Sequence, residues 1–140
     1  MRKLASIQII DKIERIPDAD RIVLANIMGW KCVVPINTFK EGDKCVYFEV
    51  DAFLPMEDRY EFLRSSSYKN NEFMGQGFRI KTQTLRGQIS QGLALGLSAF
   101  PEIDPNIEVD TDVTELLNVK KWEMPEILGD AGTAIGDKPF

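Results

Sequence analysis

The chain is a succession of short apolar runs, each a few residues long, separated by turn-forming residues. Residues 22–28 are almost continuously apolar, and Gly29 breaks that run. Residues 44–51 follow a Lys-Glu-Gly-Asp turn and alternate Cys, Tyr and Glu with Val, Phe and Val, which is typical of a strand buried on one face. Because such runs are too short for helices of ordinary length, the sequence predicts an all-β fold.

The first strand and one long connection suggest the architecture. Residues 4–16 change the phase of their apolar alternation midway, as a bent or bulged strand does. The long connection spans residues 52–76, where 57–64 have the spacing of helical turns and 68–77 the composition of an exposed loop. Residues 112–117 have the capping-box spacing of a short helix. Together these features predict an OB-like small β-barrel with a long inter-strand insertion and a short C-terminal helix, although an SH3-like barrel or a small sandwich also fits the pattern.

The composition excludes several kinds of active site. The chain has no histidine, which rules out Ser-His-Asp and Cys-His nucleophile systems, and its two cysteines cannot close a zinc site alone. We interpret the cysteines as reduced strand residues, because the N-terminus lacks the continuous apolar region of a secretion signal. No apolar run approaches the roughly 18 residues that span a bilayer. We therefore expect an intracellular protein with no membrane contact and no cofactor or metal bound by this chain.

Charges of opposite sign are concentrated in two successive stretches. The net charge of −5 argues against indiscriminate nucleic-acid binding by the whole surface. Residues 59–88, the basic stretch, nevertheless carry six cations and two carboxylates, a balance of 6 − 2 = +4. Residues 101–118, the acidic stretch, carry six carboxylates and no cation. The basic stretch favours a local surface for an anionic partner; alternatively, it is solvated surface or balances the acidic stretch within the domain.

The strongest pattern within the basic stretch is GFRIKTQTLRGQISQGL at residues 77–93. In an extended strand Phe78 and Ile80 point to one side while Arg79 and Lys81 point to the other. Alternate residues lie about 6.6 Å apart, close to the phosphate spacing of a single nucleic-acid strand. We expect a hairpin with its turn near Arg86, and the alternative is an ordinary solvent-facing hairpin. The candidate nucleic-acid-binding residues are Arg79, Lys81, Arg86, Gln88 and Gln91, together with Arg64 and Lys69 from the preceding connection.

Three segments carry a resemblance to a known family: MRKLASIQIIDKIERIPDADRI, GDKCVYFEVDAFLP and GFRIKTQTLRGQISQGLAL. They resemble the N-terminal OB-fold module of ATP-dependent, nick-sealing RNA ligases, in which the module precedes a nucleotidyltransferase domain. The resemblance extends to about residue 122, and LRGQISQGL is its most specific part. It implies a parent enzyme that seals 3′-OH/5′-phosphate nicks with ATP and Mg²⁺ or Mn²⁺.

The chain itself lacks the Lys-x-Asp-Gly motif that carries the reactive lysine of that family. The resemblance therefore implies an accessory domain that is not an enzyme alone, with RNA or a nicked duplex and the nucleotidyltransferase domain of the same polypeptide as partners. We expect residues 1–122 to form the OB-fold nucleic-acid-binding domain. Residues 123–140, rich in Gly and Pro, are interpreted as a linker toward a missing nucleotidyltransferase domain.

Two other functions fit the sequence. The segment PDADRI at residues 17–22 resembles the opening of tRNA-binding OB domains associated with aminoacyl-tRNA synthetases. A tRNA-binding domain is therefore one alternative. The net acidity also suits a barrel that binds another protein and has no nucleic-acid role.

Overall fold

A computed structural model describes residues 3–123, and within them the regular structure consists mainly of short β-strands. Two 3-10 segments, Asp58–Leu63 and Leu97–Ala99, and one α-helix, α1 (Arg64–Ser67), accompany the strands. Within this range no helix has the length and apolar character needed to cross a membrane. The strands are β1 (Ala5–Ile9), β2 (Lys12–Arg15), β3 (Ile22–Ile27), β4 (Trp30–Pro35), β5 (Lys44–Phe48), β6 (Ala52–Leu54), β7 (Tyr68–Asn71), β8 (Gly75–Arg79), β9 (Gln83–Leu85), β10 (Gln88–Ser90), β11 (Leu93–Gly96) and β12 (Lys120–Lys121).

The strands form four sheets in which every pairing is antiparallel. One three-stranded sheet has the order β1-β5-β11, and the other has the order β2-β3-β4. The order β12-β6-β8-β7 describes a third sheet, much of which belongs to the long insertion, while β9 and β10 pair as a separate hairpin. The all-β class and the long inter-strand insertion are as the sequence predicts.

The first strand divides between two sheets, in agreement with its predicted bend. β1 pairs with β5, whereas β2 pairs with β3. At the bend, the Ile10 N–H donates to the Asp43 carbonyl oxygen at 2.9 Å, and the Asp11 N–H donates to the Asn26 carbonyl oxygen at 2.8 Å. This change of partner lets one continuous stretch of chain turn the corner between the two three-stranded sheets.

A second connection between these sheets lies near β10. The Val33 N–H on β4 donates to Ser90 Oγ at 2.9 Å. The Gln91 N–H donates to the Lys31 carbonyl oxygen at 2.8 Å. Since Gln91 leads into β11, these bonds bring the two sheets together on the side opposite the bend of the first strand.

β5 is buried on both of its faces. Its side chains from Cys45 to Phe48 are at most 1% exposed. Val46 and Phe48 pack in the larger core, which includes side chains from the insertion and from residues 100–119, and Cys45 and Tyr47 pack in the second core. The prediction of a strand buried on one face is wrong, because the insertion and the acidic stretch cover the other face.

Both cysteines are free thiols in the second core. Burial raises the pKa of Cys32 to about 11 and that of Cys45 to about 12. A thiol in this state is a weak nucleophile and a poor metal ligand at neutral pH. Their interpretation as reduced strand residues agrees with these positions in β4 and β5.

The insertion is more regular than its composition suggests. The helical turns predicted for residues 57–64 form the 3-10 segment and α1, and Tyr60 and Leu63 are both buried, as expected from their spacing. The prediction of an exposed loop at residues 68–77 is wrong, because β7 and β8 form a hairpin there. Tyr68 packs edge-on against Phe78 with ring centroids 6.1 Å apart, so an aromatic pair supports strands made largely of polar residues.

Residues 114–118 form turns and Asp112 forms an isolated bridge with Ser6, so the helix predicted at residues 112–117 is wrong. Asp112 Oδ1 accepts from the Thr114 N–H at 3.0 Å, as a capping side chain does. The Thr114 hydroxyl, however, accepts from the N–H groups of Leu4 and Ala5. Leu117 is buried in the larger core. Attachment to the first strand holds this segment against the barrel without a regular helix.

Arg59 joins the insertion to the acidic stretch. Its Nη1 and Nη2 donate to the two oxygens of Glu102 at 2.9 and 2.7 Å, and its Nε donates to Glu57 at 2.7 Å. The guanidinium carbon also lies 4.5 Å from the centroid of the Phe100 ring. The hydrogen bonds from Arg59 lower the pKa of Glu102 to about 2. In this pair the basic and acidic stretches do neutralise each other.

We expect Arg59→Ala to lower the free energy of unfolding by about 2 kcal/mol, since charge-assisted hydrogen bonds and a cation–π contact are lost together. Because the pKa of Glu102 is lower in the folded than in the unfolded chain, this carboxylate stabilises the fold at any pH above its ordinary pKa of 4.5. The contribution disappears as the pH falls toward 2. Urea unfolding at pH 7 and at pH 3 measures both effects. A difference between wild type and variant that is no smaller at pH 3 would contradict the role of Glu102.

Candidate nucleic-acid interface

The β9–β10 hairpin projects Arg86 at its tip. Gln88 pairs with Leu85 across the hairpin, leaving Arg86 and Gly87 as a two-residue turn. Both turn residues have positive φ, 51° and 77° respectively, as the tight turns that suit the twist of a β-hairpin require. The predicted turn is therefore confirmed, and it places the exposed Arg86 side chain at the end of the hairpin.

The cationic strand face expected at residues 78–85 is interrupted. β8 ends at Arg79, where the Ile80 N–H donates to the Ala52 carbonyl oxygen at 2.8 Å, and β9 begins at Gln83. The predicted alternation persists through this break: Phe78 and Ile80 are buried while Arg79 and Lys81 are partly exposed. Arg79 and Lys81 therefore lie in different surroundings, because the chain leaves the β12-β6-β8-β7 sheet after Ile80.

Arg79 is engaged within the domain. Its Nη2 lies 3.0 Å from Asp51 Oδ1 in a half-buried ion pair. Its guanidinium carbon lies 5.2 Å from the centroid of the Trp122 ring, and Trp122 also packs against Phe53 with centroids 5.3 Å apart. Arg79 thus holds the end of the described chain against the insertion sheet.

Arg64 is engaged as well. It donates to both carboxylate oxygens of Glu61, at 2.8 and 3.0 Å. Its guanidinium carbon lies 4.7 Å from the centroid of the Tyr68 ring. The hydrogen bonds with Arg64 hold the pKa of Glu61 below its ordinary value. The Tyr68 hydroxyl donates to Gln76 Oε1 at 2.8 Å, so this aromatic ring supports the hairpin.

Three cations of the basic stretch have no ion pair among residues 3–123: Lys69, Lys81 and Arg86. Lys69 lies on β7 opposite Gly77. Lys81 lines a groove beside the β9–β10 hairpin, and Arg86 borders a separate cavity formed with residues 18–22. These are the cations whose charge remains available to an external anion.

Gln88 and Gln91 occupy different positions. Gln88 is partly exposed on β10. Gln91 uses its main chain within the barrel, where its carbonyl oxygen accepts from the Tyr47 hydroxyl at 2.7 Å. Its N–H bonds to β4, so only the partly exposed Gln91 side chain is left to face outward.

The most specific part of the sequence resemblance, LRGQISQGL, serves the barrel. Ser90 accepts the hydrogen bond from Val33. Gly92 has a φ of +90°, and a Cβ there would lie 2.5 Å from Tyr47 Oη and 2.6 Å from the Phe48 carbonyl oxygen. No side chain larger than hydrogen fits without displacing β5. Ser90 and Gly92 of this segment therefore meet structural requirements of the barrel.

The groove beside the hairpin lies between the helical turns of the insertion and strands β4 and β9–β10. Its volume is about 220 Å³, and among its lining residues are Phe62, Ser66, Lys81, Gln83 and Leu85. Phe62 is 58% exposed. Phe62 and Gln83 are 21 positions apart in the sequence, so only the fold shows that they line one groove. Residues 3–123 contain no cluster of three or more His, Cys, Asp or Glu side chains that could hold a metal ion.

Comparison with known proteins places the chain in a family. A family model described as an OB-fold domain matches residues 4–97, well over half of the sequence, so the chain belongs to the OB-fold domain family. This confirms the predicted OB-like class. Comparison with curated proteins gives no match.

Solved structures make the resemblance more specific. The chain is similar to Naegleria gruberi RNA ligase with PPi, at 42% identity and a TM-score of 0.82 over 89% of this chain and 36% of the ligase. A lysine-to-methionine mutant of that ligase with AMP and Mn gives 44% identity and 0.82, covering 89% and 37%. A lysine-to-alanine mutant with ATP and Mn gives 40% and 0.81, covering 89% and 36%. The predicted resemblance to the OB module of an RNA ligase is thus confirmed, and the chain spans little more than a third of the ligases it matches.

We expect Arg79→Ala to lower the free energy of unfolding by about 1 kcal/mol, because it removes a half-exposed ion pair and a cation–π contact. Lys81→Ala is the matched control and should change stability by no more than about 0.5 kcal/mol. Urea unfolding followed by far-UV circular dichroism measures both variants. Equal stability of the two would show that the Asp51 and Trp122 contacts contribute little.

Proposed function

We propose that this chain is the accessory nucleic-acid-binding domain of an ATP-dependent RNA ligase that seals 3′-OH/5′-phosphate nicks. The observation that carries the proposal is the match to RNA ligase structures, of which this chain spans just over a third of the length. Several of these structures contain AMP or ATP and Mn. In this proposal a nucleotidyltransferase domain of the same polypeptide binds ATP and Mg²⁺ or Mn²⁺. The present domain binds RNA near the nick and helps the catalytic domain to engage it.

The distribution of ion pairs supports a division among the candidate RNA contacts. Lys69, Lys81 and Arg86 keep uncompensated charge in an otherwise acidic chain, so they are the primary phosphate contacts in this proposal. Arg64 and Arg79 remain secondary candidates, since each first has to leave or share a carboxylate. The partly exposed Gln88 and Gln91 side chains supply hydrogen bonds beside them.

Replacing Lys69, Lys81 and Arg86 together with alanine should weaken RNA binding and reduce its salt dependence. Each phosphate contact contributes about 0.7–0.9 to the slope of log affinity against log salt, so the slope should flatten by about two to three units. Fluorescence anisotropy with a nicked RNA duplex between 50 and 300 mM salt provides the measurement. Stability should change little, because exposed charges contribute only about 0–1 kcal/mol each.

The matched control is the triple alanine variant of Lys12, Arg15 and Lys40, which removes the same charge from exposed residues outside the basic stretch. It should leave the slope within about one unit of wild type. Equal flattening in both triple variants would instead indicate binding to net charge alone. Tighter binding of tRNA than of the nicked duplex would favour the tRNA-binding alternative, and no salt-dependent RNA binding at all would leave the protein-interaction alternative.

The chain alone should form no covalent adenylate with ATP, because it lacks the Lys-x-Asp-Gly motif. Incubation with α-labelled ATP and Mn²⁺, followed by denaturing electrophoresis, should leave the protein unlabelled. An RNA ligase with an intact motif serves as the positive control. A labelled lysine in this chain would overturn its assignment as an accessory domain.

A further inference from the structure

The groove beside the β9–β10 hairpin combines apolar and polar groups without any acid. None of its lining residues is a carboxylate, although the chain contains 22 Asp and Glu residues. Lys81 borders it with no ion pair among residues 3–123. The side-chain amide of Gln83 has no hydrogen-bond partner in the same range, and Ser66 adds a hydroxyl. The charge of Lys81 and the Gln83 amide suit an anionic ligand that also carries hydrogen-bonding edges.

The apolar part of the groove is exposed where the fold does not require it. Phe62 is 58% exposed and Leu85 is 39% exposed, and both line the groove. Leu63, the next residue, already attaches this turn to the larger core. An exposed phenylalanine is a flat apolar surface on which a nucleobase of any identity can stack.

The size of the groove limits what it can hold. Its volume of about 220 Å³ lies below the roughly 300–1,000 Å³ of pockets for drug-sized ligands. A groove of this volume has room for one planar ring whose face rests on Phe62. Stacked bases of a duplex present only their edges, so the ring has to come from an unpaired nucleotide.

We propose that this groove binds the base of one unpaired nucleotide of single-stranded RNA. The base stacks on Phe62, the Gln83 amide bonds to its edge, and Lys81 contacts an adjoining phosphate. This inference rests on the proposed RNA-binding function and deepens it by naming a subsite for a single base.

The test uses the whole chain and two labelled hexamers. One is oligouridylate, and the other has an abasic tetrahydrofuran residue at every position of the same phosphate backbone. Wild type should bind oligouridylate at least about fivefold more tightly than the baseless hexamer, as stacking of one base predicts. Phe62→Ala should bind both hexamers equally. Phe62→Trp should keep the preference. Oligouridylate, but not the baseless hexamer, should change its Trp emission more than it changes that of wild type, which already contains Trp30 and Trp122.

Phe73→Ala is the matched control, because Phe73 is 53% exposed and lies in the β7–β8 turn outside the lining of the groove. It should keep the wild-type preference for bases. The same preference in Phe62→Ala, or none in wild type, would overturn the single-base subsite. In that case the proposed function would still stand if replacing Lys69, Lys81 and Arg86 with alanine flattens the dependence of RNA affinity on salt. Failure of wild type to bind any RNA would overturn both.

Discussion

The double burial of β5 is the constraint on which the rest of the domain depends. Its two faces supply two different cores, so every element packed on either face is positioned relative to the same five residues. β1 and β11 pair with its edges, and the hydrogen bond from Tyr47 to the Gln91 carbonyl oxygen fixes the chain just before β11. This arrangement requires Gly92, because only a glycine fits so close to the Tyr47 ring. The insertion and the acidic stretch are then the cover that keeps the second face of β5 dry.

Local features of the sequence predicted the local features of the fold. The phase shift in residues 4–16 predicted the strand that changes sheets, and Arg86-Gly87 predicted a two-residue turn, because both depend on neighbouring residues alone. Features set by distant residues were missed. β5 has the alternation of a half-buried strand because Cys and Tyr occur on both buried and exposed faces. Much of the cover of its second face comes from distant residues such as Tyr60, Phe100 and Leu117. The helical spacing of residues 112–117 gives way to bonds from Thr114 to the first strand, over a hundred residues away in sequence.

The candidate site shows the same division. Strand alternation correctly separated Arg79 and Lys81 from their buried neighbours, but it could not show that Asp51, 28 residues earlier, takes up the charge of Arg79. Nor could it show that Phe62 and Gln83 line one groove, since 21 positions separate them. The segment most specific to the RNA ligase resemblance is explained largely by the geometry around Tyr47. Ser90, Gln91 and Gly92 in LRGQISQGL thus serve the barrel, whereas the primary phosphate contacts of the proposed function, Lys69, Lys81 and Arg86, make no ion pair among residues 3–123.

The short pairing of β12 has a consequence for how the domain opens. Only two residue pairs join β12 to β6, and the Trp122 N–H bonds to the Asp51 carbonyl oxygen, while the Trp122 ring rests on Arg79 and Phe53. A strand held by so few pairs opens locally more easily than β5, which is paired on both sides. Amide hydrogen exchange at residues 120–122 is then governed by local detachment and not by global unfolding. The contacts of the Trp122 indole with Arg79 and Phe53 are what retain β12 at the edge of its sheet, so β12 can detach while both cores stay intact.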